Sequence, residues 1–223
     1  MNMPTSDFHN INCILGVAVQ LNPLRVLDVG CGFGKYGVLV REYLDVWHER
    51  LEPSQWRAEL VGIEGCERYR NPIHDYVYSE MHFGDACEIV PTLGEFDLIL
   101  IADMIEHLEK QDARRLVEEC LKRSPVVVIS TPVEFHSQRE ILGNPYEVHR
   151  CCWRREDFAS GIWVHTIRLV ACNVFVAGRK PLGKDVIALT DPTDYVYLRS
   201  RLKLGWLGLP LSLGLRFLCR LLS

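Results

Sequence analysis

Two kinds of hydrophobic pattern alternate along the first 180 residues of the chain. Short apolar runs rich in β-branched residues predict buried strands, and they occupy residues 26–29, 60–63, 96–101 and 126–130. Between these runs, apolar residues recur every three or four positions, as in 35–47 and 110–122, which predicts helices that pack on a sheet. Strands that alternate with helices at this interval predict parallel β-α-β units.

Other segments complete the expected sheet. Residues 82–83 are expected to end a third strand, and 163–170 and 171–177 predict two adjacent strands without a helix between them. The apolar stretch 11–21 predicts a helix that packs across the sheet or covers a pocket, and residues 66–78 predict an irregular helix. The polar stretch 48–57 predicts a loop insertion, because it contains Pro53-Ser54.

Composition places the chain among ordered globular proteins. Its 223 residues suit one domain, and its 24% charged and 48% hydrophobic residues are ordinary values. The net charge of −4 provides no overall basic field and so disfavours nucleic acid as a partner. The nine cysteines contain no Cys-x-x-Cys pair, which argues against a zinc ribbon or a disulfide framework. With no signal peptide at the start, the sequence predicts a cytoplasmic protein.

A glycine-rich segment follows the first predicted strand. Gly30, Gly32 and Gly34 are spaced two apart, and a helical pattern begins at Lys35. Glycines allow a ligand to lie against the backbone, and the helix N-terminus offers unpaired N–H groups. The spacing fits neither the dinucleotide fingerprint nor the P-loop. Asp28 would repel a pyrophosphate but could accept hydrogen bonds from a cationic ligand with an amino group.

The segment Asp28-x-Gly30-x-Gly32-x-Gly34 resembles motif I of the class I S-adenosylmethionine-dependent methyltransferases. The resemblance covers about residues 24–179 and implies a doubly wound α/β fold. Its sheet would be mostly parallel and seven-stranded, with a C-terminal antiparallel hairpin. It also implies an enzyme that binds S-adenosylmethionine. The expected cofactor-binding residues are Asp28, Gly30, Gly32, Gly34, Glu64, Asp85, Ala86 and Ala102.

Two of these acids have particular roles in the resembled family. Glu64 ends the second predicted strand, where the family keeps an acid that holds both ribose hydroxyls. The 36 positions from Asp28 to Glu64 exceed the roughly 20 typical of such units, and the insertion near Pro53 would have to absorb the excess. Asp85 occupies the place of an acid that binds the adenine amino group, although an ordinary helix N-cap explains it equally well.

A second group of residues offers acid–base or metal chemistry. Asp103, Glu106 and His107 would share one face if their turn is helical, and His149 lies in the long loop after the fifth strand. This combination is similar to the small-RNA 3′-terminal 2′-O-methyltransferases, and that resemblance implies a divalent metal held by all four residues. Without a metal, His107 or His149 would act as a general base, and we expect the nearby acids to raise the pKa of His107.

The expected function is methyl transfer to a hydroxyl of a polar small-molecule, glycan or lipid-linked acceptor. A metal-dependent RNA 2′-O-methyltransferase-like enzyme and a non-catalytic S-adenosylmethionine-binding partner protein remain alternatives. The glycine spacing opposes a third alternative, an NAD-dependent oxidoreductase.

Residues 1–180 are the expected methyltransferase domain, and 181–223 form a basic, leucine-rich tail. After Asp194 the tail has no acid, whereas five arginine and lysine side chains surround the uncharged run 204–215. A run of 12 residues is too short to span a bilayer. The tail therefore predicts either peripheral association with a membrane surface or packing on this or a second subunit.

Overall fold

A computed structural model describes residues 5–141 and 143–183. Its seven strands are β1 (Arg25–Val29), β2 (Glu59–Glu64), β3 (Glu80–Phe83), β4 (Leu98–Ala102), β5 (Val127–Pro132), β6 (Trp163–Arg168) and β7 (Cys172–Gly178). The α-helices are α1 (Ile11–Leu21), α2 (Lys35–Leu44), α3 (Pro72–Val77), α4 (Ala86–Ile89) and α5 (Lys110–Arg123).

All seven strands form one sheet in the order β3-β2-β1-β4-β5-β7-β6. The first five strands are parallel to one another, and β7 is antiparallel to both β5 and β6. The predicted α/β fold, with a mostly parallel sheet and a C-terminal antiparallel hairpin, is therefore confirmed. In the register of the sheet, Asp28 of β1 lies beside Gly62 of β2 and Leu100 of β4. The carboxyl ends of these strands consequently form one edge.

Each face of the sheet has its own hydrophobic core. In β4, Leu98 and Leu100 belong to the cluster that includes α1 and α2, whereas Ile99 and Ile101 belong to the cluster that includes α5. This alternation follows from the period of two in a strand, and it explains why a strand covered by helices on both faces is apolar throughout. The two cores hold the strand ends in fixed positions.

Two segments that the sequence predicts to be irregular, the insertion at 48–57 and the helix at 66–78, contain short helical turns. The predicted insertion 48–57 contains the 3-10 turn Pro53–Gln55, and another 3-10 turn, Val46–His48, overlaps its start. In the segment 66–78, a 3-10 turn at Glu67–Tyr69 precedes α3, and Asn71 separates them as the N-cap of α3. The residue before a proline avoids the helical conformation, which explains the break ahead of Pro72.

Only the first three residues of the predicted tail, 181–183, are described. The expectations for residues 184–223, including membrane association, lie outside the described part of the chain. Among residues 5–141 and 143–183, no helix has the length and apolar character needed to cross a bilayer.

A buried ion pair between Asp45 and Arg41 is expected to contribute to the stability of the fold. Asp45 is fully buried and pairs with Arg41, which is 3% exposed, while Arg50 Nε and the Arg57 N–H each lie 2.8 Å from Asp45 Oδ1. Burial alone would raise the pKa of Asp45, but these donors lower it below its ordinary value. We expect Asp45→Asn to lower the free energy of unfolding by about 3–5 kcal/mol at pH 7, because it leaves Arg41 buried without a counter-charge.

Denaturant unfolding at two pH values tests this expectation. The contribution of Asp45 is complete above the pKa of about 3.9 that an aspartate has in the unfolded chain. It is lost as the pH falls through the lower pKa of the folded state, so the difference between the two proteins should shrink in acid. Glu59→Gln is the control, since Glu59 pairs with Arg25 at the surface, and it should cost no more than about 1 kcal/mol. An equal loss in both variants would contradict the expectation.

Candidate cofactor and acceptor site

A cavity of about 660 Å³ opens at the carboxyl ends of the parallel strands. Its wall combines the glycine-rich loop after β1, the ends of β2 and β4, the start of α4, residues 5–8 and parts of the segment 132–149. Ligands of open α/β sheets bind at this edge, where neighbouring loops separate. The cavity is therefore the candidate site.

The glycine-rich loop has a left-handed backbone at each glycine. The φ angles of Gly30, Gly32 and Gly34 are 73°, 56° and 90°, a region that other L-residues rarely adopt. The N–H groups of Gly30 and Cys31 both donate to the carbonyl oxygen of Ile63, at 2.8 and 3.0 Å. A Cβ at Gly32 would meet no atom within 4 Å, so the backbone there faces open space.

Six of the eight residues expected to bind the cofactor line the cavity: Gly30, Gly32, Glu64, Asp85, Ala86 and Ala102. The other two, Asp28 and Gly34, are absent from its wall. Asp28 is 3% exposed and accepts a hydrogen bond of 2.6 Å from the Tyr78 hydroxyl. Burial raises the pKa of Asp28 to about 6. Asp28 is thus held by a contact inside the protein, and its expected contact with a ligand stays a prediction.

Glu64 and Asp85, which are expected to bind the ribose and the adenine of the cofactor, both face the cavity. Glu64 is 6% exposed, and its two carboxylate oxygens accept hydrogen bonds from the N–H groups of Gly32 (2.9 Å) and Cys66 (2.8 Å). Burial raises the pKa of Glu64 although these bonds oppose it. Asp85 caps α4 by accepting from the Cys87 N–H at 2.8 Å and also lines the cavity, so both of its expected roles are sterically compatible.

Residues 5–8 form part of the cavity wall, which the sequence pattern did not predict. The Lys35 ammonium donates to the carbonyl and the hydroxyl oxygen of Ser6, both at 2.6 Å. The Asp7 N–H donates to Asp103 Oδ2 at 2.7 Å. The predicted helix α1 packs in the core on one face of the sheet, and it is the segment before it that borders the cavity.

Asp103 is not part of the close group that the other three predicted metal ligands form. Its backbone is left-handed, with φ 48°, and its carboxylate accepts hydrogen bonds from Ser130 Oγ (2.7 Å), Asn10 Nδ2 (3.1 Å) and the Asp7 N–H. The expected single face does not form because the chain after β4 turns at Asp103 and becomes a 3-10 turn only at Ile105–His107. Asp103 therefore anchors the N-terminal segment.

Glu106, His107 and His149 do come together. One potential ligand atom from each residue lies within 4.8 Å of the others. Glu106 is 3% exposed, and its Oε2 has no hydrogen-bond partner, as is also true of His107 Nδ1. Burial and the charge of Asp103 raise the pKa of Glu106 well above its ordinary value. Unpaired buried polar atoms are costly, so this cluster is suited to a bound group that supplies the missing partners.

The two histidines are neutral bases in this arrangement. Their rings meet edge to face with centroids 4.8 Å apart. Burial and the proximity of His149 lower the pKa of His107 to about 4, so the expectation that nearby acids would raise this pKa is wrong. His149 Nδ1 lies 2.7 Å from the carbonyl oxygen of His136, which can only accept, so the ring proton is on Nδ1 and Nε2 carries a lone pair.

The far wall of the cavity contains residues that the sequence pattern did not single out. Glu147 accepts a hydrogen bond of 2.9 Å from the Tyr69 hydroxyl, and Gln138 Nε2 lies 3.3 Å from its other oxygen. The ring of Tyr146 packs against Gly65, where an added Cβ would lie 3.0 Å from it. Tyr146 and Glu147 belong to the same polar stretch as His149, and this closeness in sequence is the feature that could have indicated a role for them in the site.

Acidic side chains dominate the ionisable groups of the cavity wall. Six carboxylic acids line it, and Lys35 is the only lysine or arginine on the wall among the described residues. The acids are Asp7, Glu64, Asp85, Asp103, Glu106 and Glu147. The ammonium group of Lys35 donates to Ser6 and is attracted electrostatically by Asp103 and Asp7. An anionic ligand would meet repulsion here, whereas a cation would be attracted.

Several solved structures share this fold. Magnesium protoporphyrin IX methyltransferase (ChlM) from Synechocystis PCC 6803, determined with bound SAM, is 14% identical, with a TM-score of 0.54 over 77% of this chain and 79% of that chain. Monomeric WbdD is 17% identical, with a TM-score of 0.56 over 81% of this chain and 43% of that chain. An O-methyltransferase family protein from Burkholderia thailandensis is 10% identical, with a TM-score of 0.52 over 77% of this chain and 56% of that chain.

These similarities show that the chain has the fold of the class I S-adenosylmethionine-dependent methyltransferases. No protein-family model matches the sequence.

Proposed function

We propose that the protein is an S-adenosylmethionine-dependent methyltransferase that acts on a hydroxyl of a polar acceptor. The observation that carries this proposal is the composition of one cavity. A left-handed glycine loop and the acids Glu64 and Asp85 line one part of it, and the cluster of Glu106, His107 and His149 lies in its wall as well. The fold of the solved methyltransferases, one of them with bound SAM, supports the assignment.

Methyl transfer requires mainly that the acceptor oxygen is held in line with the methyl group and loses its proton. Neutral imidazole is suited to accept that proton, and both His107 and His149 are neutral at pH 7 because burial lowers their pKa values. The hydrogen bond from His149 Nδ1 to His136 orients the ring and leaves Nε2 as the basic atom.

A divalent metal is the second candidate for this cluster. One carboxylate and two imidazoles form a donor set typical of Mn²⁺, Fe²⁺ or Zn²⁺, whereas Mg²⁺ prefers oxygen ligands. The unpaired atoms Glu106 Oε2 and His107 Nδ1 support this alternative. When bound, such an ion would polarise an acceptor hydroxyl and favour its deprotonation. Glu106, His107 and His149 would hold it, without Asp103.

The acidic wall bears on the acceptor. Six carboxylic acids against one lysine favour an uncharged or cationic acceptor over one with a phosphate or carboxylate beside the reacting hydroxyl. This supports a small-molecule or glycan acceptor and weighs against the RNA 2′-O-methyltransferase alternative, because RNA carries a phosphate at every residue. A polar wall with Tyr69, Gln138 and Glu147 offers hydrogen bonds to several hydroxyl groups.

Calorimetry with S-adenosylhomocysteine tests the cofactor assignment, and we expect a dissociation constant in the micromolar range, equivalent to about −8 kcal/mol. NAD is the control ligand, and tight NAD binding without S-adenosylhomocysteine binding would overturn the proposal.

Incubation with methyl-labelled S-adenosylmethionine and candidate acceptors then tests catalysis, with a mass gain of one methylene group as the readout. Cofactor binding without any transfer would favour the alternative of a non-catalytic binding protein.

A further inference from the structure

Two side chains from one short helix contact the glycine-rich loop from outside the cavity. His74 belongs to α3, and Tyr78 is the residue that ends this helix, four positions later. Residues four apart share one face of a helix, and here both side chains are buried. Neither residue lines the cavity. Their contacts with the loop are therefore separate from the groups that would touch a ligand.

His74 contacts the loop at its middle glycine. His74 Nε2 lies 2.8 Å from the carbonyl oxygen of Gly32, and a carbonyl can only accept, so the ring donates from Nε2. His74 Nδ1 is buried without a partner, and burial lowers the pKa of His74. The ring is thus neutral. The N–H of the same glycine is also fixed, because it donates to Glu64.

Tyr78 contacts the strand end from which the loop starts. Its hydroxyl donates to Asp28 Oδ2 at 2.6 Å, and Asp28 precedes Gly30 by two residues. The ring occupies a space that two glycines leave open. A Cβ at Gly37 of α2 would lie 2.5 Å from the ring, and one at Gly62 of β2 would lie 3.1 Å from it. A side chain at Gly37 would exclude the tyrosine, and one at Gly62 would crowd Met81 as well as the ring, so the fold provides a slot for this ring.

We infer that His74 and Tyr78 are positioning residues, which hold the glycine-rich loop in its ligand-binding conformation through Gly32 and Asp28. The inference rests on the proposed function, since it assumes that the loop binds the cofactor. The loop has three left-handed glycines in five residues, and glycine can adopt many backbone conformations. Contacts with the rest of the protein are therefore needed to hold the loop in one shape. Without these two hydrogen bonds the free loop would occupy other conformations, and binding would have to select one of them.

Calorimetry with S-adenosylhomocysteine tests the inference without knowledge of the acceptor. His74→Leu removes the hydrogen bond, and we expect the dissociation constant to rise by about tenfold or more. His74→Gln restores a side-chain N–H donor and should recover most of the affinity. Tyr78→Phe keeps the ring in its slot but removes the hydroxyl, and it should also weaken binding by about tenfold. Asp75→Asn, at an exposed position of the same helix, is the control and should bind like the wild type.

The results of these measurements distinguish a failure of the inference from a failure of the proposed function. Wild-type affinity in folded His74→Leu and Tyr78→Phe proteins would overturn the inference, as would equal weakening by His74→Leu and His74→Gln, since the effect would then not depend on the hydrogen bond. If His74→Leu does not fold, Tyr78→Phe decides, because it leaves the packing of the ring in place. A wild-type protein that does not bind S-adenosylhomocysteine would contradict the proposed function itself, before any variant is compared.

Discussion

His107→Ala and His149→Ala are each expected to lower methyl transfer by on the order of a hundredfold or more, with little change in affinity for S-adenosylhomocysteine. Both side chains belong to the three-residue cluster, and neither contacts the glycine-rich loop in the hydrogen bonds of the described residues. The rate of label transfer and the dissociation constant from calorimetry measure the two effects separately. His165→Ala, a histidine of β6 that is absent from the cavity wall, is the matched control.

Chelation distinguishes the two possible roles of the cluster. If Glu106, His107 and His149 hold a metal, EDTA should abolish transfer, and adding back Mn²⁺, Fe²⁺ or Zn²⁺ should restore it. If His107 is a base without a metal, EDTA should have no effect. In that case the rate should stay level from neutral pH downward and fall only as the pH approaches the pKa of about 4, because the base must be neutral. Full activity in both histidine variants would remove the cluster from the mechanism.

Gly32→Leu is expected to abolish S-adenosylhomocysteine binding while the protein remains folded. A side chain at Gly32 would project into open space within the cavity, where an added Cβ atom would have no neighbour within 4 Å, and would occupy the volume that a ligand needs. The left-handed backbone, with φ 56°, adds a strain of about 1–2 kcal/mol for a non-glycine residue. Calorimetry measures the binding, and thermal unfolding measures the strain.

Gly161→Leu is the matched control for this substitution. Gly161 is also left-handed, with φ 87°, also has open space around an added Cβ atom, and is exposed outside the cavity. Both variants should lose a similar, small amount of thermal stability, but only Gly32→Leu should lose binding. Retained micromolar affinity in Gly32→Leu would show that the ligand does not approach this part of the loop.

The sequence predicted the features that depend on local patterns. The strand, glycine loop and helix from β1 to α2 are readable because apolar periodicity and glycine spacing are properties of adjacent residues. Glu64 could be placed in spite of its distance from Asp28, because its position depends only on where β2 ends. The insertion between them consists of short turns and does not displace that end.

The features that the sequence could not reveal depend on contacts between distant residues. A helical spacing groups Asp103 with Glu106, but the backbone of Asp103 is left-handed and its carboxylate accepts a hydrogen bond from Asp7, 96 positions earlier. The hydrogen bond from Tyr78 to Asp28 joins residues 50 positions apart, and no local pattern indicates it. The lowered pKa of His107 likewise follows from burial, which spacing does not reveal.

The acidic residues of the cavity wall have a consequence for product release. S-adenosylmethionine carries a sulfonium charge that S-adenosylhomocysteine lacks, so transfer of the methyl group removes one positive charge from the bound molecule. If the proposed cofactor binds in this cavity, the ionised acids of its wall should attract the charged form more than its product, because the Coulomb energy acts on that charge. Binding is therefore expected to favour S-adenosylmethionine over S-adenosylhomocysteine. The expected result is weak inhibition by product, and a preference for S-adenosylmethionine that diminishes as the ionic strength rises.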